Sequence, residues 1–217
     1  MKNPRIKIKI CCISSIAEAR LAISYGASAL GLVGNMPSGP GVIEDELIRL
    51  IAQSVPPPVA TFLLTSETSA EAIIAHHHRT FTNTIQIVDV LIDEKYDEIR
   101  QTLPQVKLVQ VVHVINEQSI DEAVRLSASV DALLLDSGNP NLAVKELGGT
   151  GRIHNWKLSR KIVEQVKIPV FLAGGLNAEN VKAAIDEVQP FGLDLCSSVR
   201  TNGALDDFKL EEFMRAV

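Results

Sequence analysis

Two residues of this 217-residue chain have the surroundings of proton-transfer groups, Cys11 and Asp136. Cys11 belongs to "IKIKICC", residues 6–12, where isoleucine alternates with lysine and cysteine. A strand's period of two puts Ile6, Ile8, Ile10 and Cys12 on one face and Lys7, Lys9 and Cys11 on the other. An ammonium beside a thiol favours the thiolate, which is a base or a nucleophile. The competing reading is a small buried hydrophobe, the usual state of a free cysteine. Asp136 closes "VDALLLD", residues 130–136. A carboxylate ending an apolar strand is costly unless it is paired or used. The competing reading is a turn or helix cap, because "DSGNP" is also turn chemistry.

The elements that must position these residues repeat along the chain. β-rich runs occur at 6–12, 29–34, 58–64, 84–89, 106–112, 130–136, 169–175 and 192–198. Helical patterns lie between them. "SIAEARLAISYG" has Gly26 as its C-cap, "SIDEAVRLSAS" starts at Ser119 as N-cap, and "NAENVKAAIDEV" opens with the capping residue Asn177. Strands alternating with helices imply a parallel sheet with right-handed crossovers. Eight such units in 217 residues predict an α/β fold, a single-domain (β/α)8 TIM barrel spanning 1–217. An open doubly wound sheet is the alternative.

In such a barrel the chemistry lies where strands end. The long segment 137–155 carries "GGTG", with Gly149 and Gly151. The seventh strand runs into "AGGLNAENV", with Gly174 and Gly175, and the eighth into "DLCSSVRTNG", with Cys196 and Ser197. Glycines and serines after the last two strands suit a phosphate held by backbone N–H groups. The competing reading is that these glycines only close tight turns. "NMPSGPGVI", residues 35–43, falls on the same face after the second strand.

Composition narrows the partners. A net charge of -5 and 4% aromatic residues argue against a nucleic-acid surface. No signal-peptide pattern opens the chain and no apolar run is long enough for a bilayer span, so a cytoplasmic protein without a membrane partner is expected. Three cysteines, two of them adjacent, make neither a disulfide framework nor a zinc site, and no metal is expected. "HHH" at 76–78 reads as exposed polar residues near a helix C-terminus.

Taken in order, "KICC", "LLLD", "GGTGRIHNW", "LAGGLNAENV" and "DLCSS" resemble the phosphoribosylanthranilate isomerase family of tryptophan biosynthesis over nearly the whole chain. The family pattern has a K-I-C-G strand, an aspartate ending strand six, a G-G-T-G loop, an A-G-G-L turn and a D-V-S-S-G-V-E ending. The resemblance implies a cofactor-free isomerase acting on a small phosphorylated substrate, as a monomer or homodimer. Asp136 would be the general acid that opens the ribose ring, and Cys11 the general base at C2′. Lys9, Gly149, Gly151, Gly174, Gly175, Cys196 and Ser197 would serve substrate and phosphate.

The departures concern the aglycone. Pro40 in Ser38-Gly39-Pro40 stands where the family has a carboxylate-binding arginine, and Val88 replaces a histidine. Cys12 and Ser198 replace glycines, Arg200 replaces a glutamate, and a lysine is missing from "NGALDD". Ser38, Pro40, Val88 and Arg200 are therefore the candidate aglycone pocket. Two other classes remain open: an aldolase or epimerase of another sugar phosphate, with Lys9 as Schiff-base nucleophile, and a non-catalytic phosphate-binding barrel.

Overall fold

A computed structural model describes residues 6–138 and 151–217. The eight runs of apolar, β-branched residues become β1 (Lys7–Ile10), β2 (Ala29–Val33), β3 (Ala60–Thr65), β4 (Thr84–Ile87), β5 (Lys107–His113), β6 (Ala132–Asp136), β7 (Val170–Leu172) and β8 (Gly192–Leu195). Each pairs in parallel with its sequence neighbour, and β8 returns to pair with β1, so the sheet is a closed barrel rather than an open one. The helices are α1 (Ile16–Ser24), α2 (Asp45–Ser54), α3 (Ala70–Thr80), α4 (Tyr96–Thr102), α5 (Gln118–Leu126), α6 (Trp156–Gln165), α7 (Val181–Val188) and α8 (Asp207–Ala216). None among the described residues is long and apolar enough to cross a membrane.

Strand alternation divides the apolar residues into two layers. Ile8, Ile10, Leu30, Leu63, Leu133 and Leu193 pack outward beneath the helices. Phe62, Leu64, Val109, Val111, Leu134 and Phe171 fill the barrel interior. A barrel with a packed floor offers a ligand only its mouth.

Side-chain caps from Ser15, Ser69, Asn155 and Asp206 start four of the eight described helices. Ser15 accepts from Glu18 N at 3.1 Å to start α1, and Gly26 follows its end at φ +92. Four expectations are corrected. Cys12 does not share the isoleucine face, because β1 ends at Ile10 and Cys12 turns to φ +62, which breaks the alternation. Ser119 lies inside α5 rather than capping it; its Oγ donates to His113 O and accepts from Ile115 N, each at 3.1 Å. Of the three histidines, only His78 is exposed. His76 bridges Thr65 Oγ1 at 2.9 Å and Asp45 Oδ1 at 3.0 Å, while His77 meets Thr82 O at 2.7 Å. A helix facing a barrel has a buried side even in its last turn. The eighth strand also stops early, at Leu195, and gives way to a 3-10 turn, Ser197–Val199, and a small antiparallel pair, β9 (Arg200–Thr201) with β10 (Ala204–Leu205).

Candidate active site

The C-terminal ends of the strands enclose a cavity lined by both proton-transfer candidates. Cys11 follows β1, Asp136 ends β6, and both side chains face the cavity. Gly151, Gly174, Gly175, Cys196 and Ser197 line it as well, as do Ser38, Pro40 and Val88. Gly149 lies outside the described residues.

Lys9 stands one layer lower and does not line the cavity. It is fully buried, and its Nζ donates to Asp194 Oδ1 at 2.8 Å. The barrel seam makes this pair, since Lys9 and Asp194 are direct partners in the β1–β8 register. The ammonium also sits 5.3 Å from the centre of the Phe62 ring. Gly31 on β2 leaves room for these groups: a Cβ there would lie 2.8 Å from Cys11 Sγ and 3.0 Å from Lys9 Nζ. In this structure the ammonium is buried and engaged by Asp194 rather than presented to the cavity as a free amine. It acts on its neighbours as a fixed positive charge.

The charges polarise the two candidates in opposite senses. The adjacent Cys12 thiol, as donor, and then the Lys9 ammonium outweigh burial and hold the Cys11 pKa below the ordinary thiol value. Burial acts against the Lys9 charge, but Asp194 and the Cys11 thiolate outweigh it and keep lysine protonated. Burial raises the pKa of Asp136, against the Ser137 N–H and His113, which favour its carboxylate. Burial raises the pKa of Asp194 too, against the Lys9 ammonium paired with it, and Lys9 also favours the Asp136 carboxylate from a distance. What separates the two is that Asp194 is tied to Lys9 by an ion pair, whereas Asp136 faces the cavity without that ion pair.

The glycines have a steric reason. Gly174 and Gly175 adopt φ +83 and +64, where other residues are strained. A Cβ at Gly174 would lie 2.9 Å from Ser137 Oγ, and one at Gly175 2.8 Å from the Arg152 backbone. Ser197 Oγ lies 3.7 Å from where a Cβ of Gly151, before α6, would be.

The second loop seats on Cys12. Val33 bridges to Val42, Ile43 N donates to Val33 O at 2.9 Å, and a Cβ at Gly41 would lie 2.5 Å from Cys12 Cβ. Met36, Ser38, Gly39 and Pro40 thereby form one wall of the cavity.

Arg200 is corrected: it does not line the cavity. Its Nη1 donates to Glu18 Oε1 at 3.1 Å and Gly203 O at 2.8 Å. Its Nη2 donates to the carbonyls of Cys11 at 3.1 Å and Cys12 at 2.5 Å. It is a clamp under the Cys11–Cys12 backbone.

Comparison with known proteins gives this constellation its context. The family model for N-(5'phosphoribosyl)anthranilate (PRA) isomerase matches residues 8–216. The chain belongs to this family. It is 35% identical to N-(5'-phosphoribosyl)anthranilate isomerase 2 of Methanosarcina mazei, over 96% of this chain and 92% of that one. Among solved structures, phosphoribosyl anthranilate isomerase from Thermotoga maritima superposes with a TM-score of 0.81 at 27% identity, covering 97% of this chain and 98% of that one. A phosphoribosyl anthranilate isomerase solved in complex with reduced 1-(o-carboxyphenylamino)-1-deoxyribulose 5-phosphate gives a TM-score of 0.78 at 25% identity, covering 97% of each chain.

Set against the family pattern, three of the departures are joined through Cys12. Cys12 touches Pro40 through Sγ and the carbonyl, 3.5 Å apart, and Arg200 through its own carbonyl. The pattern's glycine at position 12 has a backbone explanation in the left-handed φ seen here. Two cavity residues gave a weaker signal in the sequence, Gln86 and Asp194. Each is a polar residue inside an apolar strand, on the inward phase of its alternation. Gln86 Oε1 is buried without a hydrogen-bond partner among the described residues.

Proposed function

We propose that this protein catalyses the Amadori rearrangement of N-(5'-phosphoribosyl)anthranilate to the 1-deoxyribulose 5-phosphate product. The observation that carries the reading is the pair of Cys11 and Asp136 facing one cavity with pKa shifts of opposite sign, in a chain of this family. A base and an acid must hold opposite protonation states at one pH.

In the proposed sequence, Asp136 gives its proton to the ribose ring oxygen as the C1′–O bond breaks. The nitrogen lone pair completes a protonated Schiff base at C1′. The Cys11 thiolate removes the C2′ proton, and the electron pair left at C2′ moves toward nitrogen, giving an enolamine. Loss of the 2′-hydroxyl proton and protonation at C1′ complete the ketose. Lys9 stabilises the thiolate through space from beneath the cavity floor. Backbone N–H groups at Gly151, Gly174, Gly175, Cys196 and Ser197 hold the phosphate; their support is that all five line one cavity, three of them glycines at left-handed φ.

The aglycone lies against the 35–43 loop, where Pro40 brings no charge. Losing a charge-assisted contact to a carboxylate costs about 1.5–3 kcal/mol of affinity. We read this wall as one that recognises its ligand through backbone and packing.

The test follows the loss of phosphoribosylanthranilate fluorescence with wild-type protein, Cys11→Ser and Asp136→Asn. Turnover by the wild type is expected, with kcat lowered about 10²–10⁴-fold in each variant. No wild-type turnover removes the substrate assignment. Turnover that survives both substitutions removes the assignment of acid and base.

A further inference from the structure

Two cysteines beyond the proposed base face each other across the barrel seam. Cys12 Sγ and Cys196 Sγ are 2.8 Å apart, although 184 positions separate them in sequence. Closure of the sheet brings them together: Ile10 pairs with Leu195, and Cys11 N donates to Leu195 O at 2.7 Å. The left-handed φ of Cys12 then turns its side chain out of the strand's alternation and into the cavity wall. The family pattern has glycine and serine at these two positions, so the dithiol belongs to this chain's own departures. Cys12 is buried and Cys196 is half-buried, which leaves Cys196 as the thiol a small reagent meets first.

We propose that Cys12 and Cys196 are a dithiol modification site, which a low-molecular-weight disulfide of the glutathione class oxidises to an intramolecular disulfide that closes the active site. The Cys196 thiol gives its proton to solvent and its thiolate attacks one sulfur of the reagent. The reagent's S–S bond breaks and one thiolate leaves, taking up a proton. Cys12 then attacks Cys196 Sγ in the mixed disulfide, its proton passing to the second departing thiolate. The protein dithiol loses two electrons and two protons, and the reagent gains them as two thiols. Bond formation requires the sulfurs to move from 2.8 Å to about 2 Å. Dithiothreitol reverses the exchange.

The consequence for the site is direct. The Cys12 thiol would no longer be available as a donor to Cys11, and its contact with Pro40 O would be broken. Ser197, next to Cys196, would shift with it. Oxidation thus disables base, loop wall and phosphate turn together. The cross-link itself rests on sulfur geometry alone and stands or falls independently of the isomerase reading.

The experiment incubates the intact protein with glutathione disulfide, alkylates the remaining thiols and maps the peptides by mass spectrometry. A peptide joining Cys12 to Cys196, with Cys11 alkylated, is expected; it disappears after dithiothreitol and in Cys196→Ser. Three alkylated cysteines, a stable glutathione adduct on Cys196, or a link through Cys11 would each overturn the site. Activity on phosphoribosylanthranilate, compared before and after oxidation, is expected to be lost and then restored by dithiothreitol. A wild-type protein that carries the Cys12–Cys196 link and keeps its rate would overturn the closure while leaving the bond. Should Cys196→Ser fail to fold, the wild-type map with and without dithiothreitol decides the question.

Discussion

At the residue scale, Arg200 grips the backbone beside the proposed base. It holds the carbonyls of Cys11 and Cys12, and so fixes a left-handed residue immediately after the proposed base. Its counterion, Glu18, is also bonded by Ser14 N and Leu205 N. Burial disfavours the Glu18 charge, but Arg200 and those N–H groups outweigh it and hold its pKa below the usual carboxylate range. Arg200→Met leaves that carboxylate without its partner and is expected to lower stability by about 3 kcal/mol at neutral pH. The sign of the pH dependence follows from the lowered pKa. The stabilisation is fully present above the unfolded carboxylate value and is lost as pH falls through the folded one. Urea unfolding across pH should show the gap between wild type and variant narrowing in acid. A gap of constant size would mean that Arg200 acts through its carbonyl contacts alone.

At the element scale, the loop between β2 and α2 is held by the bridge of Val33 to Val42 and by the close approach of Gly41 to Cys12. Gly41 combines φ +80 with a Cβ position 2.5 Å from Cys12 Cβ, so Gly41→Ala meets strain and overlap together. A loss of about 1–3 kcal/mol is expected in denaturant unfolding. Pro40→Arg asks a different question of the same loop. Restoring a guanidinium opposite an anthranilate carboxylate is expected to lower KM about tenfold with little change in kcat. Unchanged kinetics would mean that the loop does not contact the carboxylate. The glycine turn after β7 offers a third case. Gly174→Ala puts a methyl group 2.9 Å from Ser137 Oγ and is expected to raise KM for the phosphorylated substrate.

At the scale of the whole molecule, the seam between the first and last strands carries the site's electrostatics. Lys9 and Asp194 pair across it inside the barrel, 2.8 Å apart. Removing one partner of a buried pair costs about 3–5 kcal/mol, whereas replacing both with apolar residues costs far less. Lys9→Met is therefore expected to be strongly destabilised, and Lys9→Met with Asp194→Leu to recover most of the loss. The double variant still lacks the positive charge beside Cys11. Its thiolate should form at higher pH than in wild type, as read by alkylation rate against pH. Recovery of stability together with an unshifted thiol would show that Lys9 does not tune Cys11.

The sequence by itself determined the strand-helix alternation, because periods of two and of helical spacing are local properties of the side chains. It also determined which polar residues sit at strand ends, including Cys11, Asp136 and the glycines after β7. Tertiary structure decided what those residues face. The Lys9–Asp194 pair and the Cys12–Cys196 contact depend on the register between two strands at opposite ends of the chain, which no local pattern encodes. Arg200 looked like an aglycone cation while its partner Glu18, 182 positions away, was unknown. The His76 and His77 environments and the turned Cys12 have the same origin, for burial and backbone sign are fixed by what packs against a residue. Barrel closure brings Lys9, Asp194, Cys12 and Cys196 together, and only the closed sheet fixes their neighbours.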